Sequence, residues 1–517
     1  MPIATSGALH VYRTTSFRRG LDVKTSPFVL AQRRVNDSLT MATNVVYSTS
    51  GGLSKRLDVA AYNTTSLGGT VAITGGHLFR HSNGTDYNVC GTDDGRLVRL
   101  NTDGTTTNLV TGLATGRRWS FAVYNDLLIA CNGSDAPRKY NGTTVAALLG
   151  SPPSTASVVI VHQNRVLMLD QTQLSRLTFS ALNSEEDYTT ANNAGTIQVY
   201  PNDSQNLIGM ISAINEVILV KPNFIYRLQG ASPATGYAIT NVVPAPQIAG
   251  GISFMGLVAA LNDVWLLATD GIHSLYTVQA FGDLKQSFAS EPISPYFTPN
   301  TDFTVSLNRL NLGAAVYDRQ NARLYFSVDS DNNEQNDTIF VYDLFTKGWS
   351  RWRGIAAASL WIVRNSTNGR EEVFAGGYDG FARVLNRSAA TNTIDGEARH
   401  ISNLGVSGIE KSPRHLYMHV AEQGNYNLSV NTSFDFGATG GQTSTVSLLG
   451  GSRTLGVNWT LGTDALGARD QIIKRLDMAG VGEYLEVRAR NGNAGEPFTW
   501  FGYECYWRAR RLVRRGA

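Results

Sequence analysis

SFAVYNDLLIACNGSDAPRKYNG, Ser120 to Gly142, is the stretch from which the fold is read. A β-rich run meets a polar turn at Asn125-Asp126. A second apolar run follows, and a loop then leads to a short closing strand near Lys139-Tyr140. The same order returns in SVVIVHQNRVLMLD, LIGMISAINEVILVKPNFIYRLQG, LVAALNDVWLLATDGIHSLY and AAVYDRQNARLYFSV. Each time two apolar or β-branched runs flank a turn rich in Asn, Asp and Gln, whose side chains tolerate tight-turn backbone geometry. The unit recurs from about Val71 to Asn386 with a period of roughly 35 to 45 residues, that of propeller blades. One such unit cannot bury both faces of its sheet, so neighbours must stack, and the chain is predicted to form a closed array of about six to eight blades. Sharing of strands between the first and last blades would lock the ring.

Working outward, the chain divides into three parts. Residues 1–65 are expected to be an amino-terminal arm with lead-in strands, and residues 66–390 the β-propeller. The Thr/Asn-rich stretch from Ser388 to Arg399 serves as linker. Beyond it, RHLYMHVAEQGNYNLSVNTSFDF, EYLEVRARN and FTWFGYECYWRAR alternate apolar and polar residues with period two. That pattern predicts a β-sandwich over residues 400–517, ending in a basic tail. The fold class is all-β, with short helices only, ALGARDQIIKRL being the best candidate.

Composition agrees. Of 517 residues 42% are hydrophobic, enough for a sizeable core, and 51 glycines supply turns. No apolar run is long enough for a membrane-spanning helix, so stable membrane insertion is not expected. The amino terminus lacks a signal-peptide pattern. Three cysteines, Cys90, Cys131 and Cys505, without CxxC spacing, argue against a disulfide framework or a thiolate zinc site and for assembly in a reducing compartment. The net charge of +3 says little about partners, although the tail concentrates Arg508, Arg510, Arg511, Arg514 and Arg515.

Searches for catalytic chemistry return no GxSxG elbow, no HExxH and no Walker-type loop. No catalytic residue, metal ligand or cofactor is assigned, and the chain is read as a non-enzyme. GGLSKR, Gly51 to Arg56, has the wrong spacing for a phosphate loop and reads as a turn with an exposed basic flank. Asp329, Asp331 and Asn333 match the start of a calcium loop, but Glu334 and Phe340 stand where Gly and the bidentate Glu belong, so an acidic hairpin is the better reading. His415 and His419 alternate with apolar residues and point from one strand face instead of converging on a metal. SFDFG, Ser433 to Gly437, is a hairpin turn. In LFTKGWSRWRG, Trp349 reads as core, whereas Trp352 and Arg353 are candidate interface residues. Glu185, Glu186 and Asp187 form a charged loop between blades.

The quoted segments, with SPFVLAQRRVNDSLTMATNVVYSTSGGLSKRLDVAAY, SRLTFSALNSEEDY, ASEPI, VYDLFTKGWSRW, QGNYNLSVNTSFDFG and EPFTWFGYECYWRAR, resemble virion tail proteins of short-tailed bacteriophages, of the type called tail nozzle, tail hub or packaged-DNA stabilisation protein. The resemblance spans nearly the whole chain and rests on strand-and-turn patterns. It implies a structural subunit of a homohexameric ring below the portal and its adaptor, retaining packaged DNA and conducting it during ejection. The implied partners are other copies of the chain, the portal-adaptor ring, tail fibres or spike, and, non-specifically, the phage DNA. The implied location is the virion tail, assembled in the bacterial host cytoplasm.

Within that frame the acidic loop with Asp329, Asp331, Glu334 and Asp337 is the candidate channel loop, solvent-facing and repelling DNA. Phe28, Val29 and Leu30 of the arm, with Trp352, Arg353, Arg510 and Arg511, are the candidate interface. The alternative is a propeller tail protein that binds or cleaves carbohydrate, which as an enzyme would need two positioned carboxylates.

Overall fold

The computed structural model describes residues 8–512 except 34–35, 214, 231–235, 242–251, 279–282, 299–302, 366–367, 389–392 and 450–470. It is an all-β protein, 50% strand and 7% helix. Two compact units divide the chain: Val59–Phe340 with Gly354–Leu385, and Met1–Asp58 with Val341–Arg353 and Asn386–Ala517.

The first unit is a β-propeller. Among the described residues seven antiparallel blades follow one another, their innermost strands being Ile73–Arg80, Ser120–Tyr124, Ala156–His162, Gly209–Ala213, Leu257–Ala260, Ala314–Asp318 and Ser359–Arg364. Each innermost strand lies against the next, and the seventh returns to the first, so the ring is closed. The outer edge of the seventh blade is Asp58–Ala61, which enters from the amino-terminal side and pairs with Ala382–Ser388. The shared-strand closure thus joins the two ends of the repeat array.

Local chemistry dictates the hairpins. Asn125 and Asp126 both sit at positive φ, 47° and 56°, between Ser120–Tyr124 and Leu127–Cys131. Gln163 and Asn164 do the same in the third blade, at 45° and 59°. Two consecutive left-handed residues match the twist of the flanking strands, which is why short polar side chains stand there. The strands that follow are apolar on both faces. In Glu216–Val220, Val217 and Leu219 pack with Leu167, Leu169 and Phe179 of the third blade. Ile218 and Val220 pack with Val264 and Leu266 of the fifth.

The pair Gly75-Gly76 shows the same two-sidedness in negative. A Cβ on Gly75 would lie 2.6 Å from the carbonyl oxygen of Trp119, and one on Gly76 would lie 2.4 Å from the ring of Trp361. Gly91 on the adjacent strand faces Trp119 as well, its Cβ position 2.2 Å from Cγ. Trp119 is 2% exposed and donates from Nε1 to the Thr92 carbonyl at 3.1 Å. One indole therefore wedges between the first two blades and another between the seventh and first, each seated on glycine.

The second unit is a two-sheet sandwich. One sheet runs Ile472–Asp477, Ile409–Val420, Thr499–Leu512, Leu53–Lys55, Val45–Tyr47, with Leu9–Thr14 also on Thr499–Leu512. The other runs Gly348–Arg353, Met41–Thr43, Gly396–Ser402, Leu485–Asn491, Asn427–Phe434, Thr439–Ser447. The lead-in therefore does not stand apart as an arm, and the segment around Trp349 and Trp352 belongs to this unit although it interrupts the propeller in sequence. Of the expected helix ALGARDQIIKRL, residues 465–470 lie outside the described residues, and Ile472–Asp477 is a strand whose alternate exposure fits a sheet edge. The basic pair expected on an exposed flank is buried, Lys55 and Arg56 each being 5% exposed. Lys55 Nζ donates to Asn491 Oδ1 and the carbonyls of Asn493 and Glu496, and burial pulls its pKa down to about 8. Hydrogen bonds donated to backbone oxygens are what let a cation stay inside.

The sandwich core holds His400, fully buried beside Phe17 and Tyr503. Nε2 donates to the Asn36 carbonyl and Nδ1 accepts from the Tyr503 hydroxyl, both at 2.9 Å. A neutral ring satisfies both bonds, and burial depresses its pKa to about 4.

Two predictions follow from these contacts. Gly91→Ala should destabilise the propeller by about 1–3 kcal/mol through overpacking against Trp119, whereas Gly69→Ala, whose Cβ meets nothing within 4 Å, should be near neutral; thermal unfolding of both checks this. A histidine whose folded pKa is depressed takes its proton in the unfolded state first. His400 should therefore cost stability as pH falls from its ordinary value of 6.5 towards about 4, with no further loss below. His400→Gln should flatten that part of the stability–pH curve measured by denaturant titration.

Candidate functional site

The acidic hairpin joins Arg323–Val328 to Thr338–Asp343 in the sixth blade. Its carboxylates do not act alike. Asp329 is 1% exposed; its Oδ1 accepts from the backbone N–H of Asp331 and Asn332, and its Oδ2 from that of Glu334. Asp337 accepts from the Ser330 backbone and hydroxyl at 2.9 and 2.7 Å. These two build the turn, so the expectation that the whole loop faces solvent fails at Asp329. The carboxylates of Asp329, Asp331 and Asp337 approach within 4.8 Å of one another, but the two inner ones spend their oxygens on turn amides and a serine. Asp331 and Glu334 are exposed. The loop has no basic residue of its own, yet Arg309 reaches Glu334 from outside it.

The hairpin is seated on the loops that enter the innermost strands. Asn336 Nδ2 donates to the carbonyls of Leu312 and Ala357 at 2.8 and 3.0 Å. The same loops hold a residue that sequence reasoning missed, Arg118. Its Nη1 donates to Ser253 Oγ at 3.0 Å and to the Asn311 carbonyl at 2.7 Å, and its Nη2 to the Ala358 carbonyl at 3.1 Å. A side chain from the entry of the second blade thus ties the entries of the fifth, sixth and seventh. Among the described residues no carboxylate pairs with it, and loss of hydration pulls its pKa to about 10, leaving the cation intact at neutral pH. Its only sequence signal was the adjacent pair Arg117-Arg118 before Trp119, indistinguishable from a solvated basic turn.

The remaining assignments scatter. Leu30 is fully buried with Ala31, Ile401 and Tyr484, with Phe28 packed beside them, so these two are spent in the sandwich core. Val29, from the same single helical turn Pro27–Gln32, is 49% exposed. Trp352 is also core: fully buried, it donates to the Val45 carbonyl at 3.0 Å under the Arg56 guanidinium. Arg353 and Arg510 are exposed; the side chain of Arg511, and Arg514 and Arg515, lie outside the described residues.

His415 pairs with Asp477 at 2.9 Å and His419 faces Glu504 at 3.7 Å, so they do not converge. Glu186 binds Lys139 and the Leu149 amide, Asp187 caps Thr189, and Glu185 accepts from Asn125. Each of the three carboxylates has its own structural partner, which is not the arrangement of an acid and a base facing one bond.

Asp329→Asn should lower stability by about 1–3 kcal/mol, because a carboxylate that accepts several backbone donors is replaced by a group with one acceptor oxygen. Asp331→Asn, on an exposed carboxylate, should change stability by less than about 0.5 kcal/mol. Paired denaturation curves check both.

No protein-family model and no curated protein matches the sequence. Among solved structures, the extracellular domain of BT4673 from B. thetaiotaomicron is 14% identical with a TM-score of 0.43 over 66% of this chain. This chain spans 41% of that protein's length. YCF48 from Cyanidioschyzon merolae is 12% identical with a TM-score of 0.41, covering 61% of this chain and 97% of its own. BamB from Moraxella catarrhalis is 14% identical with a TM-score of 0.37, covering 66% of this chain and 90% of its own. Values this low carry no argument about function, and the propeller rests on the strand pairing itself.

Proposed function

We propose that this chain is a structural subunit of the virion tail of a short-tailed bacteriophage, of the nozzle or hub type, which retains packaged DNA and conducts it during ejection. It acts without catalysis, as a homo-oligomer, most simply a hexamer, placed below the portal-adaptor ring and beside fibres or spike. Its assembly takes place in the host cytoplasm. The sequence resemblance suggests the role, and one structural observation carries it: each unit is sealed by a strand from early in the chain. Asp58–Ala61 closes the last blade, and Leu9–Thr14 lies along Thr499–Leu512. Opening the propeller means shearing Asp58–Ala61 along its length, breaking several hydrogen bonds together, and both early strands cover sheet edges that would otherwise pair wrongly. A conduit under internal pressure calls for that kind of body. Among the described residues no helix is long and apolar enough to cross a membrane.

DNA that must slide is served by weak, sequence-independent contact in preference to base readout. The exposed carboxylate of Asp331, beside a Glu334 offset by Arg309, supplies the repelling surface in this reading, and Val29, Arg353 and Arg510 are the interface candidates that remain accessible. Purified full-length protein imaged in negative stain should show six-fold rings, and a stable monomer at virion-like local concentration would overturn the assembly. The double variant Asp331→Lys/Glu334→Lys, which spares the turn-building Asp329, should slow DNA ejection in vitro. The slowing should be stronger at low salt, since screening acts beyond about 10 Å at 0.1 M. Ejection unaltered at low salt removes the hairpin from the channel.

A further inference from the structure

The outward face of the second sandwich sheet carries a site that the tail role does not use. In the strand Asn427–Phe434, Ser429 stands opposite Thr445 on one side and opposite Arg490 on the other. Over this row lies a hollow of about 410 Å³, lined by Asn427, Ser429, Thr445, Arg490 and the turn Asn491–Asn493.

The wall is rigid. Asn491 is 4% exposed, and its Nδ2 donates to the Asn427 carbonyl and to Glu496 Oε2, both at 2.8 Å. Its Oδ1 accepts from Lys55 Nζ at 2.9 Å, and Lys55 also holds the Asn493 carbonyl at 2.7 Å. The buried ammonium thus clamps the turn from behind. On the floor, the side chains of Asn427, Ser429 and Thr445 make no hydrogen bond to the described residues. Arg490 offers Nε and Nη2 to Asp395 at 2.7 and 2.8 Å, which compensates its charge and leaves Nη1 as a donor.

The lining selects a chemistry. Among the described residues it contains no apolar or aromatic side chain, so an apolar ligand gains nothing there. Among the described residues the lining includes no carboxylate, and the two that border it are engaged, Asp395 with Arg490 and Glu496 with Asn491 and Asn493, so neither a cation nor an anion meets an uncompensated charge. What remains is a shallow, open set of amide and hydroxyl groups, each able to donate, accept or both, on paired strands. Vicinal hydroxyls match such a surface. We infer that this hollow binds a neutral saccharide of about one or two rings, held by hydrogen bonds without stacking. Binding at a single copy is then weak, and an oligomer would raise it by avidity.

Saturation-transfer NMR on the full chain with methyl glycosides of glucose, galactose, mannose and N-acetylglucosamine tests this. At least one glycoside should receive signal. Thr445→Leu, at an exposed strand position, should strongly weaken the transfer by putting an apolar branch in place of a floor hydroxyl while leaving the circular dichroism spectrum unchanged. Ser429→Ala should weaken binding by roughly three- to tenfold, the value of one neutral hydrogen bond. Signal from none of the four glycosides overturns the inference, as does displacement of the glycoside by inorganic phosphate or transfer undiminished in Thr445→Leu. The result is independent of the tail reading: rings without glycoside binding refute only this site, and binding without rings refutes only the assembly.

Discussion

A sheet that is apolar on both faces cannot exist alone in water, and in the propeller unit everything else depends on satisfying that constraint. The strand Glu216–Val220 is buried on two sides by two different blades, and the first, second and third blades likewise share an apolar cluster with the neighbour on each side. The surface one blade hides is hidden only if its neighbour is present, so the array is stable only when the seventh blade meets the first. At that joint Trp361, Phe374 and Val384 pack with Ile73, Cys90 and Val98, and the Ser359 hydroxyl donates to the Ile73 carbonyl at 2.6 Å. Apolar burial supplies the driving force there, and the hydrogen bond fixes the register.

Polar ties of the same kind recur around the axis. Ser120 accepts from the Val159 amide at 3.1 Å, His162 meets Ser212 at 2.8 Å, and Ser253 and Ser327 donate to the Gly313 and Ala357 carbonyls. Arg118 spans several entry loops at once. Small hydroxyls suit these joints because they satisfy a buried backbone group without holding the sheets apart. The ring is thus apolar between the blades and hydrogen-bonded along and beside their innermost strands.

Cations play an unexpected structural part in both units. Lys221 is fully buried, bonded to Asp203 at 2.8 Å and to the Val199 carbonyl. Lys411 is caged by the carbonyls of Ile409 and Glu483, and Lys55 by those behind the saccharide hollow. Basic residues in a chain proposed to handle DNA invite assignment to phosphate, but these three are internal fasteners. Removing one partner from such a cage leaves a buried charge uncompensated, which costs far more than a surface ion pair contributes.

The sequence by itself determined the repeat, the all-β class and the hairpin turns, because each is set by residues within one blade length. Asn125-Asp126 needs only its own backbone to form a tight turn, and period-two alternation announces a half-buried strand wherever it occurs. Tertiary structure decided what depends on distant partners. Phe28 and Leu30 look like an exposed arm until Ile401 and Tyr484 cover them; Trp352 looks like an interface until Val45 and Arg56 enclose it; Asp329 looks solvated until the backbone it caps is in place. Gly76 and Gly91 gain their role only from residues far away, as the seats of the Trp361 and Trp119 indoles. The polar row Thr445, Ser429 and Arg490 is spread over three strands and becomes one surface only when they pair. Local geometry is written in neighbouring residues, whereas burial, charge compensation and the shape of a site are properties of side chains brought together from far along the chain.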